Sequence, residues 1–106
     1  MNNTEVNFEQ LRASAAIATD LLKVMANSDR LMLLCQLSQG EKSVGELEEI
    51  LGIKQPTLSQ QLTVLRKAAL VSTRREGKSI YYAISNTSAL AIMNVLYQEI
   101  CMKSGE

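Results

Sequence analysis

Apolar residues return along this chain at two different periods, and the change of period marks where helices give way to strands. Val44, Leu47, Ile50 and Leu51 recur at helical spacing. Gly52 follows them, a residue that takes a left-handed backbone at little steric cost and so stops a helix. Leu58, Leu62 and Leu65 mark one face of the next helix, and Pro56 suits its first turn, where a missing N–H does least harm. Residues 71–75 and Ser79–Ile84, rich in β-branched and aromatic side chains, then flank Glu76-Gly77-Lys78, a hairpin signal.

Three more helices surround this stretch. Leu11, Ala15, Ala18, Leu22 and Met25 form a stripe through residues 8–26. Asn27, Ser28 or Asp29 can cap a second helix, in which Leu31, Leu34, Cys35 and Ser38 share a face before Gln39-Gly40 ends it. At the far end Thr87 or Ser88 is expected to cap a helix carrying Leu90, Met93, Tyr97, Ile100 and Cys101, with Ile92, Val95 and Leu96 broadening its stripe. A helix apolar on more than one face is buried on more than one side. In a chain of 106 residues, close to the size at which association adds needed burial, that points to a second copy.

The expected architecture is mainly α with a β-hairpin, in the order α-α-α-α-β-β-α and in one domain spanning residues 1–106. Two helices joined by about four residues with a glycine form a helix-turn-helix, whose second helix enters a DNA major groove. A hairpin behind that helix is a wing. An ordinary helical bundle with a hairpin gives a similar pattern, but here order, spacing and charge agree.

Charge first counts against a nucleic-acid partner, since 11 basic and 11 acidic residues leave a net charge of zero. The distribution reverses that impression. From residue 54 to 78 six cations, Lys54, Arg66, Lys67, Arg74, Arg75 and Lys78, stand against Glu76 alone. From residue 41 to 53, Glu41, Glu46, Glu48 and Glu49 stand against Lys42. Only cations near the phosphates displace counterions, so local excess is what matters. Those six are the candidates for phosphate or minor-groove contact. Gln55, Thr57, Ser59, Gln60 and Thr63 are the candidates for groove contact, since short hydroxyls and amides suit base edges and phosphates alike. Double-stranded DNA is the expected partner.

Several classes fall away. No run of 18 apolar residues could span a membrane, and the N-terminus MNNTEVNFEQ lacks a signal-peptide layout, so a cytoplasmic protein is expected. An enzyme built on thiol chemistry wants a C-x-x-C motif or a nucleophile beside a base, and neither is present. No cofactor or metal is expected: the chain has no histidine, and its two cysteines, 66 residues apart, cannot by themselves supply three or four ligands. Two cysteines on apolar stripes are, from the residues alone, most simply small buried hydrophobes.

The motifs Asn27-Ser28-Asp29-Arg30-Leu31-Met32-Leu33-Leu34, Ser43-Val44-Gly45-Glu46-Leu47, Thr57-Leu58-Ser59-Gln60-Gln61-Leu62, Leu70-Val71, Arg74-Arg75-Glu76-Gly77 and Tyr81-Tyr82 together resemble the ArsR family of winged-helix repressors over nearly the whole chain. The resemblance implies a homodimer built on the first and last helices, a roughly palindromic operator, and repression relieved by an inducer. Two positions depart from the family pattern: Ala69 stands where glycine is usual, and Gln61 where many members have histidine. Metal-sensing members use cysteine pairs beside the helix-turn-helix, where this chain has Ser43-Val44-Gly45, or His and carboxylate clusters on the last helix, where only Glu99 is acidic. Cys35 and Cys101 are placed instead as in the family's persulfide-sensing branch, of the biofilm growth-associated repressor type. That placement implies that reactive sulfur species join the two thiols by a disulfide or polysulfide bridge and that DNA is then released. A metal-responsive repressor, at best holding a three-coordinate thiolate-bound ion across a dimer, is the alternative; a thiol oxidoreductase is the remotest one.

Overall fold

A computed structural model describes residues 7–102. Asn7 opens the first helix, its side chain accepting from the backbone N–H groups of Glu9 and Gln10. Helix α1, Phe8–Met25, buries only Met25; its apolar stripe leaves Leu11 and Leu22 more than half exposed. Asn27 caps α2, Ser28–Leu37, through a bond from the Arg30 N–H. Leu33 and Leu37 are buried along with Leu34, so α2 is sunk into the core on more sides than one stripe provides.

A two-residue strand, β1 (Lys42–Ser43), precedes α3, Val44–Leu51, and is an element the hydrophobic pattern is too short to reveal. Ser43 and Glu46 close a reciprocal capping box at its start, 3.1 and 2.8 Å, satisfying two otherwise orphaned N–H groups. Gly52 ends the helix at φ 70, as its position predicts. Leu47 is fully buried, whereas Ile50 is half exposed. After Ile53 and Lys54, α4 spans Gln55–Lys67 with Pro56 in its first turn, and Leu58, Leu62 and Leu65 are all buried as expected.

Helix α4 ends in a Schellman motif. The Leu70 N–H reaches the Leu65 carbonyl and the Ala69 N–H that of Arg66, both at 3.0 Å, while Leu65 and Leu70 are both buried. The motif needs a left-handed residue between, and Ala69 takes that conformation at φ 62.

Strands β2 (Val71–Glu76) and β3 (Ser79–Ile84) pair antiparallel from Val71↔Ile84 to Glu76↔Ser79. Glu76 therefore belongs to the strand, and the turn is Gly77-Lys78 with Gly77 at φ 63, one residue tighter than expected. β1 adds to the other edge of β3, giving the order β1-β3-β2. Helix α5, Thr87–Leu96, is capped by Asn86, which accepts from the Ala89 N–H at 2.9 Å, and not by Thr87 or Ser88. It continues as a π-helical segment, Tyr97–Met102. The core gathers around Leu33, Leu34, Leu47, Leu58, Leu62, Leu65 and Met93. The arrangement is a winged helix-turn-helix, with α3–α4 as the helix pair and β2–β3 as the wing.

Candidate DNA-reading face and dithiol groove

Burial of the three leucines of α4 fixes which side of that helix looks outward. Lys54, Gln55, Thr57, Ser59, Gln60, Thr63, Arg66 and Lys67 are all exposed, on the helix or at its cap. A chain of polar contacts orders its first two turns: Gln55 Nε2 donates to Glu48 Oε1 at 3.3 Å, and Ser59 Oγ donates to Gln55 Oε1 at 3.0 Å. Thr63 Oγ1 donates back to the Ser59 carbonyl at 2.8 Å, which ties its hydroxyl to the helix backbone. Gln61 is only half-buried and turns toward α2, where its Oε1 accepts from Arg30.

The wing divides its three cations. Arg75 and Lys78 are exposed and have no ion pair among the described residues. Arg74 is held within the protomer: Nε and Nη2 donate to the Glu41 carboxylate at 2.7 and 2.8 Å, Nη1 donates to Glu76, and the guanidinium lies 4.6 Å from the Tyr81 ring centroid. Hydrogen bonding from Arg74 holds the Glu41 carboxyl below its ordinary range, and the two carboxylates hold Arg74 charged above its own. Arg74, a phosphate candidate by its charge, is thus paired with Glu41, 33 residues away in sequence, and with the nearby Glu76.

Elsewhere on the protomer, α2 and the terminal helix enclose an apolar groove of about 260 Å³. Leu31, Met32, Met93, Leu96, Tyr97 and Ile100 form its walls, and Cys35 and Cys101 lie in it together. Cys35 is half-buried, Cys101 exposed, and they are not joined. Burial pushes the Cys35 thiol above its ordinary pKa, and the neighbouring Cys101 pushes it the same way through charge and a hydrogen bond. Cys101 belongs to the π-helical segment, a feature frequent at functional sites and without a signature in the apolar pattern. Among the described residues no group of three or more His, Cys, Asp or Glu could hold a metal ion, and no helix is long and apolar enough to cross a membrane.

Comparison with known proteins agrees with this geometry. The family model for bacterial regulatory proteins of the arsR family matches residues 27–73, from the cap of α2 into the wing. The chain is 48% identical over 97 residues to the biofilm growth-associated repressor of Agrobacterium fabrum, covering 92% of this chain and 83% of that protein. Among solved structures, the transcriptional repressor BigR of Xylella fastidiosa superposes with a TM-score of 0.81 at 46% identity, covering 91% of this chain and 98% of that one. The reduced form of HlyU from Vibrio cholerae gives a TM-score of 0.85 at 41% identity over 88% of this chain and 98% of that one.

Proposed function

The chain belongs to the arsR family of bacterial regulatory proteins, and from that premise we propose that it is an operator-binding repressor, active as a reduced homodimer, that releases DNA when reactive sulfur species bridge Cys35 and Cys101. The observation that carries this reading is the shared groove. The chain's two cysteines are 66 residues apart in sequence and meet in one apolar cleft between α2 and the terminal helix. A packing role alone requires neither that the two lie in one cleft nor that one of them be exposed.

In the proposed DNA-bound state, two protomers joined through α1 and the terminal helix present α4 to successive major grooves, about 34–36 Å apart or a multiple of it. Gln55, Thr57, Ser59, Gln60 and Thr63 face the groove, and Lys54, Arg66, Lys67, Arg75 and Lys78 the phosphates. Arg74 serves the wing chiefly by fixing it to Glu41 and Tyr81. The protein acts in the cytoplasm, where thiols are kept reduced until an oxidant or sulfur donor arrives.

Cys101, as the exposed thiol, is the first to react. Its thiolate attacks the outer sulfur of a persulfide RSSH, forming Cys101–S–SH and releasing RSH. The Cys35 thiolate then attacks the inner sulfur, forming the Cys35–Cys101 disulfide and releasing hydrosulfide. Both thiols are oxidised and the persulfide is reduced, with RSH and H₂S as products. If Cys35 also gains a sulfur from a second persulfide, attack between the two groups with loss of H₂S leaves a trisulfide.

Peptide mapping by mass after glutathione persulfide treatment tests this assignment. The expected product is an intrachain Cys35–Cys101 link, disulfide or sulfur-inserted, reversed by dithiothreitol. Cys35→Ser and Cys101→Ser should each bind operator yet fail to release it. Release by both single variants would return the cysteines to a packing role.

A further inference from the structure

Arg30 stands in the first turn of α2, and its guanidinium touches two other helices. Nε donates to the Val24 carbonyl in the last turn of α1 at 2.5 Å, and Nη1 donates to Gln61 Oε1 in the middle of α4 at 2.8 Å. Both contacts are partly buried. One rigid, permanently charged fork therefore joins α1, α2 and α4. Cys35 lies five residues further along α2, about 7.5 Å by the helical rise. Gln61 lies between Gln60, exposed on the reading face, and Leu62, in the core.

We infer that Arg30 and Gln61 are positioning residues which hold the reading helix in register with α1 and α2, and through which bridging of Cys35 shifts α4. This rests on the dithiol reading above. The leucine core joins α2 and α4 as well, but its contacts are non-directional, whereas the Arg30–Gln61 hydrogen bond weakens steeply once donor and acceptor are misaligned. A displacement of α2 toward the terminal helix carries Arg30 with it. The Arg30–Gln61 bond then either drags α4 or breaks, and either outcome changes the angle at which α4 meets the groove. Lysine at residue 30 is not equivalent, because a single ammonium cannot reproduce the two-direction fork.

The test compares operator affinity of the reduced protein with that of the glutathione-persulfide-treated protein, its bridge checked by intact mass. The ratio of the two is followed in the wild type, Gln61→Leu, Arg30→Lys and Gln61→Glu. The wild-type ratio is expected within roughly 5–150-fold, the usual range of allosteric coupling. Gln61→Leu keeps the helix and its bulk but accepts no hydrogen bond, and its ratio should fall to within about threefold of unity, with Arg30→Lys intermediate. Gln61→Glu restores an acceptor for Arg30; it should lower affinity in both states because it adds a negative charge near DNA, yet recover the wild-type ratio. A purely structural role moves melting temperature and affinity in both states without selectively changing the ratio. Full release by bridged Gln61→Leu would overturn the inference and leave the dithiol reading standing. No release by the bridged wild type would overturn both.

Discussion

Ala69 holds φ at 62, where a β-carbon costs about 1–2 kcal/mol. The position must be left-handed because the Schellman motif turns the chain from α4 directly into β2, and it is stabilised by the burial of Leu65 and Leu70 on either side. Ala69→Gly should therefore raise stability by about 0.5–1 kcal/mol, the relief exceeding the extra chain entropy of glycine. A shift of the urea midpoint upward at unchanged slope is the expected reading; a downward shift would mean that the alanine methyl makes contacts worth more than its strain. Arg74 illustrates the opposite limit of sequence reasoning. Its charge was legible, but its partner Glu41 lies across the sheet, and no local pattern announces a contact between residues so far apart. Because Glu41 is held below its ordinary pKa, whatever the pair contributes is present above the usual carboxylate range and lost as pH falls through the depressed value. Cys35 has the reverse sign. Its raised pKa means that stability is fully present below the ordinary thiol pKa of about 8.5 and is lost as pH rises through the raised value. Denaturation curves of the reduced protein between pH 7 and 10 should show this decline, and Cys35→Ser should flatten it.

Elements were legible where one local rule suffices. The helix-turn-helix showed through because Leu58, Leu62 and Leu65 repeat on one face and Gly52 must stop α3. At the start of α5, Thr87 and Ser88 satisfy the capping rule as well as Asn86 does, and the structure selects Asn86, whose side-chain carbonyl accepts from the Ala89 N–H. Removing it by Asn86→Ala should cost about 1 kcal/mol. The short strand β1 and the π-helical end were hidden for different reasons. Two residues carry no alternation, and Met93, Tyr97, Ile100 and Cys101 fit an ordinary helical stripe equally well. The wing supports a sharper functional test. Arg75→Ala or Lys78→Ala should weaken operator and random DNA alike and reduce the slope of log affinity against log salt by about one unit per lost phosphate contact. Arg74→Ala should change that slope less, since its charge is already paired. Gln60→Ala should instead alter preference among operator variants. Equal slopes for the wild type and both exposed-cation variants would remove the wing from the DNA interface.

At the scale of the whole molecule, α1 is the element the protomer does not account for. Only Met25 of its 18 residues is buried, while Phe8, Leu11, Ile17 and Leu22 are all more than half exposed. On the terminal helix Val95 and Ile100 are exposed in the same way. A second copy covering these two helices is the economical explanation in so small a domain. Leu11→Glu should shift sedimentation from dimer to monomer and weaken operator binding, because each half-site is then held singly. The groove that holds Cys35 and Cys101 is formed by α2 and the terminal helix, so in the proposed dimer a bridge between the two thiols would tie α2 to a helix of the proposed seam and alter the angle between the two reading heads.

The most direct measurement uses a labelled operator, selected from random DNA by the reduced protein, in an anisotropy titration with one protein preparation in three states. These are reduced, treated with glutathione persulfide, and treated and then returned with dithiothreitol, with intact mass recorded for each. The account predicts tight binding by the first, a loss of affinity of roughly 5–150-fold in the second, in step with the bridged fraction, and recovery in the third. Undiminished affinity of a fully bridged Cys35–Cys101 protein would contradict it.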